Sequence, residues 1–363
     1  MMTRIIDLHC DTIINIQAGA DFGTGNSTGH VDIPRLRKGK IGAQVFACFV
    51  SSIVPKEYAF NEAVKLLELV EETCQKYQSD LQKVETIDEV EQVFSGEKIA
   101  IIPAVENGHA ISSDLSNLEK IRMLGAKYLT LTHSSNLSWA ASSGENSCPF
   151  EGLTSFGEKV IAAMNEMGII IDVSHAHKST FWDVIKLSRR PIIASHSNAF
   201  TLCPKPRNLT DDQIRAIAEA GGMIGINFYP GFLSPEYAEK QVERCGDIFP
   251  LFDQIEREYW NNPLQKTKAI QNLGKTFNER MNDIQVGIDI LIDHMAYIIN
   301  LVGDDFVGFG SDFDGVPTLP TGMTGCDIYP DLVSIMTDRG FSEQTILKIC
   351  QKNFLRVLKQ NDS

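Results

Sequence analysis

The chain alternates short apolar runs with longer segments of helical spacing, and this alternation limits its fold more than any other feature. The runs are nearly continuous in apolar, often β-branched residues, which is typical of parallel strands that helices bury on both faces. Eight such units in 363 residues predict an α/β protein with a (β/α)8 TIM barrel, and an open doubly wound sheet is the alternative. The predicted strands are Arg4–His9, Ile41–Val50, Lys98–Val105, Lys127–His133, Gly168–Ser174, Pro191–His196, Gly222–Phe228 and Phe306–Asp312.

A single catalytic domain is expected over residues 1–363, because no linker, repeat or low-complexity tract divides the chain. The spacing of the units is irregular at one place, between Phe228 and Phe306. The charged segment Glu236–Asn282 lies there, followed by an amphipathic pattern around Ile284–Leu301. We therefore predict a helical insertion at about 233–285, between strands seven and eight of the barrel. Three roles stay open for it: a lid, an inserted helical pair or an interface element.

The charge balance argues against two classes of partner. Lys and Arg number 33 and Asp and Glu 47, which gives a net charge of −14. A surface of that sign repels nucleic acids and anionic membranes. Apolar runs such as Ile169–Ile171 are also far shorter than the roughly 20 residues of a membrane span. The cysteines are scattered without a CxxC pair and the first residues lack a secretory pattern, so we expect reduced thiols and a cytoplasmic protein.

Ionisable residues follow most of the predicted strands at the point where each strand ends. In a (β/α)8 barrel all these ends meet at the C-terminal face, which is where such enzymes carry their chemistry. Four of the eight histidines in the chain occupy these positions. The residues concerned are His9, Asp11, Glu106, His133, His175, His196, Asp312 and Asp314.

Five of these side chains predict a metal centre. His9 and Asp11 are two residues apart, so in an extended chain they project to the same face and can reach one ion. Three imidazoles and two carboxylates suit Zn²⁺ or a similar divalent ion, but five ligands exceed what one catalytic zinc takes. A bridging carboxylate resolves the excess, so we assign Glu106 to both of two ions. The first ion then takes His9, Asp11 and Glu106, and the second takes Glu106, His175 and His196. Two ions that share a hydroxide predict a hydrolase.

The remaining candidates each have a second interpretation. His133 is either a structural histidine or a donor to a developing oxyanion. Of Asp312 and Asp314, one is expected to move protons and the other to order a Gly-rich turn. Arg207 is either a surface arginine or a binding group for a carboxylate. Four further histidines are interpreted as structural or loop residues: His30, His109, His177 and His294.

The sequence resembles the membrane (renal) dipeptidase family of binuclear zinc peptidases, especially its soluble bacterial members. The matching motifs occur in the family's order and cover nearly the whole chain. They are Asp7–Thr12, Val105–Gly108, Leu129–Ser134, Ile171–His175, Ala194–Ala199, Pro206–Leu209 and Gly308–Gly315.

The resemblance implies a zinc-dependent dipeptidase on a (β/α)8 barrel, with two Zn²⁺, a metal-bridging hydroxide as the attacking group and tolerance of a D-residue at the C-terminal position. It implies that Glu106 bridges the ions, that His133 contacts substrate and that Arg207 binds the substrate carboxylate. Asp312 is the implied acid/base, and it is preferred over Asp314 on this ground more than on spacing. Phe232 stands where mammalian members have a substrate-contacting Tyr. A homodimer is a family expectation, whereas the lipid anchor and disulfide linkage of mammalian relatives are not expected here.

Two rival functions stay open at this point. A different binuclear amidohydrolase would act on N-acyl amino acids, lactones or small cyclic amides, because Arg207 fits any carboxylate substrate. A catalytically silent metal-binding barrel is the second rival, and the complete ligand set together with Asp312 argues against it.

Overall fold

Nine parallel strands occur in the residues that the computed structural model describes, which are 4–25, 29–145, 147–148 and 150–362. Eight of these strands close a barrel in the order β1-β2-β4-β5-β6-β7-β8-β9, and β9 pairs with β1. The predicted (β/α)8 barrel is therefore confirmed. The strands are β1 (Ile5–Cys10), β2 (Ile41–Phe49), β3 (Leu81–Lys83), β4 (Ile99–Glu106), β5 (Tyr128–Thr130), β6 (Ile170–Asp172), β7 (Ile193–Ala194), β8 (Met223–Ile226) and β9 (Val307–Phe309).

The strand that sequence patterning missed is β3. It has three residues and pairs with the first part of β4 outside the barrel, where Leu81 lies opposite Ile99. A run this short has no periodicity that separates it from a loop, so the pattern gave no signal. Because β3 precedes β4, predicted strands three to eight correspond to β4–β9.

Helices cover the outside of the barrel, and several of them begin at a side-chain cap. Thr86 with Glu89 and Thr210 with Gln213 form capping boxes, in which each side chain binds the other residue's backbone N–H. None of the helices in the described ranges combines the length and the apolar character needed to cross a membrane.

The helices are α1 (Thr12–Gln17), α2 (Ile33–Lys38), α3 (Lys56–Lys76), α4 (Ile87–Phe94), α5 (Leu115–Met123), α6 (Ser155–Met167), α7 (Lys178–Leu187), α8 (Asp211–Glu219), α9 (Pro230–Leu233), α10 (Pro235–Cys245), α11 (Phe249–Tyr259), α12 (Pro263–Met281), α13 (Asp289–Val302), α14 (Tyr329–Asp338), α15 (Glu343–Leu347) and α16 (Asn353–Asn361). Three short 3-10 turns lie at Gly108–Ile111, Asp304–Phe306 and Cys326–Ile328, and a π turn at Lys348–Lys352 joins α15 to α16.

Side chains along β4 alternate between two buried clusters, and this alternation determines which residues reach the C-terminal end of the barrel. Ala100, Ile102 and Ala104 belong to one buried cluster, whereas Ile99 and Ile101 belong to the other, larger cluster. Successive strand residues point to opposite faces, so the even-numbered positions share one face. Glu106, at the end of β4, continues the row of Ala100, Ile102 and Ala104.

The segment between β8 and β9 contains the predicted helical insertion. Its helices α10–α12 enclose a small core of their own, made of Tyr237, Cys245, Ile248, Phe277, Met281 and Val286. The insertion also reaches back to the start of the chain, because α12 contacts α1 and the ring of Trp260 lies 5.2 Å from that of Tyr58 on α3. The amphipathic pattern predicted around Ile284–Leu301 corresponds to α13.

A buried carboxylate joins the strands where the barrel closes. Asp7 on β1 has no exposed surface, and its Oδ1 accepts a hydrogen bond from the Ser311 backbone N–H at 2.9 Å. Its Oδ2 accepts from the Ser311 hydroxyl at 2.6 Å and from Gln44 Nε2 at 3.1 Å. One side chain thus links β1 to β2 and to the turn after β9.

Replacing Asp7 by Ala should destabilise the barrel strongly. Three buried donors would lose their acceptor, and unsatisfied donors cost enough that the free energy of unfolding should fall by about 3 kcal/mol or more. Chemical denaturation measures this fall. Asp338→Ala, at an exposed aspartate of α14, is the control and should stay within about 0.5 kcal/mol of the parent. Equal effects of the two substitutions would contradict the closing role of Asp7.

Candidate metal centre and active site

The structure brings the predicted site residues together at the C-terminal ends of the barrel strands. His9 lies near the end of β1 and Glu106 at the end of β4, while the others lie in the turns that follow their strands. Most of the predicted strands end one to three residues earlier than expected, and beyond two of these ends His175 and Asp312 have φ values of +65° and +63°. A left-handed backbone at a residue other than glycine is unfavourable and turns the chain out of the strand.

Glu106 lies at the centre of the group. Its Oε2 is 3.4 Å from His9 Nε2, and its Oε1 is 3.2 Å from His175 Nε2 and 3.5 Å from His196 Nε2. Asp11 Oδ2 lies 3.7 Å from His9 Nε2 on the side of the first oxygen. The two carboxylate oxygens therefore face different side chains. The ligand atoms of His9, Asp11 and Glu106 form one cluster within 4.8 Å, which is the first set expected from the sequence. Glu106 and His175 form a second cluster with His133, and His196 clusters with His9 and Asp312.

Tyr128 determines which nitrogen of His9 faces the centre. His9 Nδ1 is 2.7 Å from the Tyr128 hydroxyl, which itself donates to the Leu8 carbonyl at 3.0 Å. Because that hydroxyl proton is engaged, His9 Nδ1–H is the donor to the tyrosine oxygen. The Nε2 lone pair of His9 is then directed at Glu106, in the tautomer that a metal ligand requires.

Asp172 orients His196 in the same way through Ser195. His196 Nδ1 is 2.7 Å from Ser195 Oγ, and that hydroxyl donates to Asp172 Oδ2 at 2.6 Å. Asp172 is fully buried and also accepts from the Thr130 hydroxyl at 2.6 Å. The Nε2 atom of His196 is again left as a lone-pair donor toward the centre.

Burial and the neighbouring carboxylates shift the pKa values of the histidines in opposite directions. Burial favours neutral His9, but the carboxylates of Glu106, Asp11 and Asp312 outweigh it and raise the pKa of His9 to about 10. Burial lowers the pKa of His175 and of His196 well below the usual range, so both rings are neutral. Within the described part of the chain, the buried atoms His9 Nε2 and Glu106 Oε1 have no hydrogen-bond partner. Imidazoles and carboxylates with unpartnered buried atoms fit a divalent metal.

Asp312 and Asp314 have different surroundings. The ligand atoms of Asp312, His9 and His196 all lie within 4.8 Å of one another, and Asp312 Oδ2 accepts from Asn227 Nδ2 at 2.8 Å. Burial raises the pKa of the Asp312 carboxyl, and the negative charge of Glu106 adds to this rise.

Asp314 instead orders the turn. Its two oxygens accept from the Thr12 hydroxyl and from the His30 backbone N–H, both at 2.6 Å. Gly315 completes this turn, because a side chain there would collide with the carboxylates of Asp11 and Asp312.

His133 belongs to the central group. The sequence left it as either a structural histidine or an oxyanion donor, and its ligand atom lies within 4.8 Å of those of Glu106 and His175. Its ring lies between those of Phe49 and His175, with centroid distances of 4.5 and 4.4 Å. Burial lowers the pKa of His133, so the imidazole is neutral.

Arg207 lies beside the centre with one donor unused. It donates through one terminal nitrogen to Ser197 Oγ at 3.0 Å and through the other to the His196 carbonyl at 2.9 Å. Its Nε is buried and has no hydrogen-bond partner among the described residues. The ring of Phe232 lies under the guanidinium, with its centroid 5.6 Å from Cζ.

The sequence does not single out Tyr128, Ser195 and Asp172, the residues that orient the candidate ligands. Tyr128 and Ser195 lie inside apolar runs and look like ordinary strand residues. A signal existed for Asp172 and for Asp7, since each is a carboxylate within a buried strand and precedes a predicted ligand by two or three residues. His177, by contrast, caps α7 by accepting from the Ser179 backbone N–H.

Comparison with known proteins gives a consistent result. The whole chain, residues 1–363, matches the family model described as membrane dipeptidase, peptidase family M19. An uncharacterized dipeptidase of Schizosaccharomyces pombe is 29% identical over 99% of this chain and 80% of its own length.

Two solved structures are also similar, and the match to each covers 99% of both chains. One is described as the metallopeptidase dipeptidase AC, with a TM-score of 0.81 and 26% identity. The other is a Rhodobacter sphaeroides metallopeptidase liganded with a phosphinate mimic of the dipeptide L-Ala-D-Ala, with a TM-score of 0.79 and 25% identity.

Tyr128→Phe should weaken metal binding. The substitution removes the acceptor of the His9 Nδ1–H, and loss of such an outer hydrogen bond typically lowers metal affinity by about 10- to 100-fold. Competition with a chelator measures the affinity. Tyr58→Phe on α3, at a half-exposed ring remote from the ligands, is the matched control and should bind metal as the parent does. Unchanged affinity in Tyr128→Phe would show that the tyrosine does not orient His9.

Proposed function

The chain belongs to the membrane dipeptidase family, peptidase family M19, whose members are metal-dependent peptide-bond hydrolases, and we propose that it is a two-zinc dipeptidase that accepts a D-residue at the C-terminal position. The proposal rests on the position of Glu106. One of its oxygens lies 3.4 Å from His9 Nε2, and the other lies 3.2 and 3.5 Å from the Nε2 atoms of His175 and His196. A carboxylate between two donor sets is suited to bridge two ions.

Zinc fits this donor set best, because mixed imidazole and carboxylate ligands suit a borderline divalent ion. When bound, two zinc ions would supply the Lewis acidity that polarises a peptide carbonyl and lowers the pKa of water. His9, Asp11 and Glu106 would hold one ion, and Glu106, His175 and His196 the other. His133 lies close enough to Glu106 and His175 to contact the substrate oxygen while that group is polarised.

Asp312 is the proposed acid/base. It faces the ligands His9 and His196, and burial raises the pKa of its carboxyl, which makes a proton easier to hold there. The Asn227 amide fixes one carboxylate oxygen at 2.8 Å and leaves the other oxygen to exchange a proton. We propose that this oxygen takes the proton of the attacking water and gives it to the departing amine.

Arg207 is the proposed binding group for the C-terminal carboxylate of the substrate. Burial lowers the pKa of its guanidinium, and a bound carboxylate would compensate this cost. The unpartnered Nε provides a donor that the protein itself leaves unused. Because Arg207 and Glu106 are both fixed, the spacing between them favours dipeptides over longer chains.

Two arguments concern the substrate side chains. Phe232 under the Arg207 guanidinium provides an apolar wall next to the carboxylate site. Tolerance of a D-residue is supported by the Rhodobacter sphaeroides relative, which is liganded with a mimic of L-Ala-D-Ala.

Turnover of the purified, zinc-loaded protein on a small panel tests the function. We expect hydrolysis of L-Ala-L-Ala and L-Ala-D-Ala and little hydrolysis of tri-alanine or N-acetyl-alanine, measured as released alanine. Hydrolysis of N-acetyl-alanine without hydrolysis of either dipeptide would replace the proposal by the rival amidohydrolase. Bound metal without turnover of any substrate would support a catalytically silent barrel.

Arg207→Met should raise KM for dipeptides by about 10- to 100-fold, since a hydrogen bond to a charged group contributes about 1.5–3 kcal/mol. The value of kcat should change much less, because the substrate carboxylate takes no part in bond cleavage. Steady-state kinetics give both values, and metal analysis checks that the centre is intact. Arg215→Met on α8 is the matched control. If KM does not rise, the substrate carboxylate binds elsewhere.

A further inference from the structure

His294 is a fully buried histidine on α13 whose two ring nitrogens both bind backbone groups of the site loops. Its Nδ1 accepts from the Ala199 backbone N–H at 3.2 Å, and its Nε2–H donates to the Leu233 carbonyl at 3.1 Å. This pair of bonds requires the neutral ring with the proton on Nε2. Burial lowers the pKa of His294 and so favours that neutral form.

The two backbone groups belong to two segments beside Arg207, the loop after β7 and the short helix α9. Ala199 follows β7 in the loop that supplies the His196 carbonyl and the Ser197 hydroxyl, both of which accept from the guanidinium. Leu233 directly follows Phe232, whose ring lies under the same guanidinium. A single imidazole therefore tethers both walls of the Arg207 pocket to one helix.

Neighbouring amides reinforce the same junction within the loops. Asn198 Nδ2 donates to the Asn227 carbonyl at 3.0 Å and to the Phe232 carbonyl at 3.3 Å. Asn208 Nδ2 donates to the Phe232 carbonyl at 2.8 Å. These amides belong to the segments that they join, whereas His294 is held by a helix whose other buried residues, Leu291, Ile292, Met295 and Ile298, pack in the main core.

A buried imidazole is a costly way to fill space, since each ring nitrogen must find a partner. An apolar side chain would pack in the core without that requirement. We infer that His294 is a positioning residue, which fixes the separation between Arg207 and Phe232 and thereby determines how tightly the substrate carboxylate binds. This inference rests on the proposed dipeptidase function and deepens it.

His294→Phe, which fills most of the same space but binds neither loop, tests the inference. KM for L-Ala-L-Ala should rise about tenfold or more as the pocket loses its geometry, while kcat stays within about twofold and the metal content is unchanged. Amide hydrogen exchange at Ala199 should become faster, because its acceptor is gone. His294→Asn retains an acceptor near the Nδ1 position, so it should restore slow exchange at Ala199 and part of the affinity.

Asn165→Leu is the matched control for a general loss of stability. Asn165 is buried on α6, where its amide donates to the Ile161 carbonyl and accepts from the Arg189 backbone N–H, remote from Arg207. This variant should lower the melting temperature but leave KM unchanged. An equal rise of KM in both variants, or an unchanged KM in His294→Phe, would overturn the inference. If the parent protein hydrolyses no dipeptide, the proposed function fails instead, and exchange at Ala199 still reports whether the tether exists.

Discussion

The negative charge of Glu106 in a buried cavity is the constraint on which the rest of the site depends. A carboxylate removed from water is unfavourable unless cations or donors surround it. Here the nearest groups are imidazoles. The carboxylates raise the pKa of His9, so this ring can offset part of the charge, whereas burial keeps His175 and His196 neutral. A divalent ion bound among these carboxylates would compensate their charge more fully than one proton on His9, so metal binding and the local fold are expected to be coupled.

The orientation of the ligands depends in turn on the barrel wall. Tyr128 and the Ser195–Asp172 pair hold the ring nitrogens of His9 and His196 that face away from the centre. These partners lie on or next to β5, β6 and β7, so the strands that close the barrel also select the tautomer of each ligand. Asp7 joins β1 to the turn before Asp312 in the same manner. The same buried hydrogen bonds thus stabilise the barrel and orient the site residues. A substitution that breaks one of them is expected to alter both the stability and the site geometry.

The barrel and the convergence of its strand ends could be predicted from the sequence, because apolar runs and ionisable residues at strand ends are local patterns. Features that depend on backbone conformation or on contacts between residues far apart in the chain could not be predicted. His175 and Asp312 adopt left-handed conformations just beyond the ends of β6 and β9, and the apolar pattern of the strands does not predict this. The resemblance favoured Asp312 over Asp314 as the acid/base, and only the structure shows that Thr12 and the His30 backbone N–H occupy the Asp314 carboxylate. Likewise His294 looks like a core histidine until its two backbone partners are identified.

The inserted helices add a layer to this arrangement. Helices α10–α12 have a small core of their own, yet Trp260 packs near Tyr58 and Glu256 pairs with Lys266 at 3.5 Å between α11 and α12. The chain then returns through α13, which carries His294 to the segments beside Arg207. Under the proposed function, the inserted segment can thereby influence substrate binding through the helix that follows it. The candidate metal ligands are held by the barrel and the Arg207 site is held by a helix outside it, so we expect substrate specificity to change more readily than the metal chemistry.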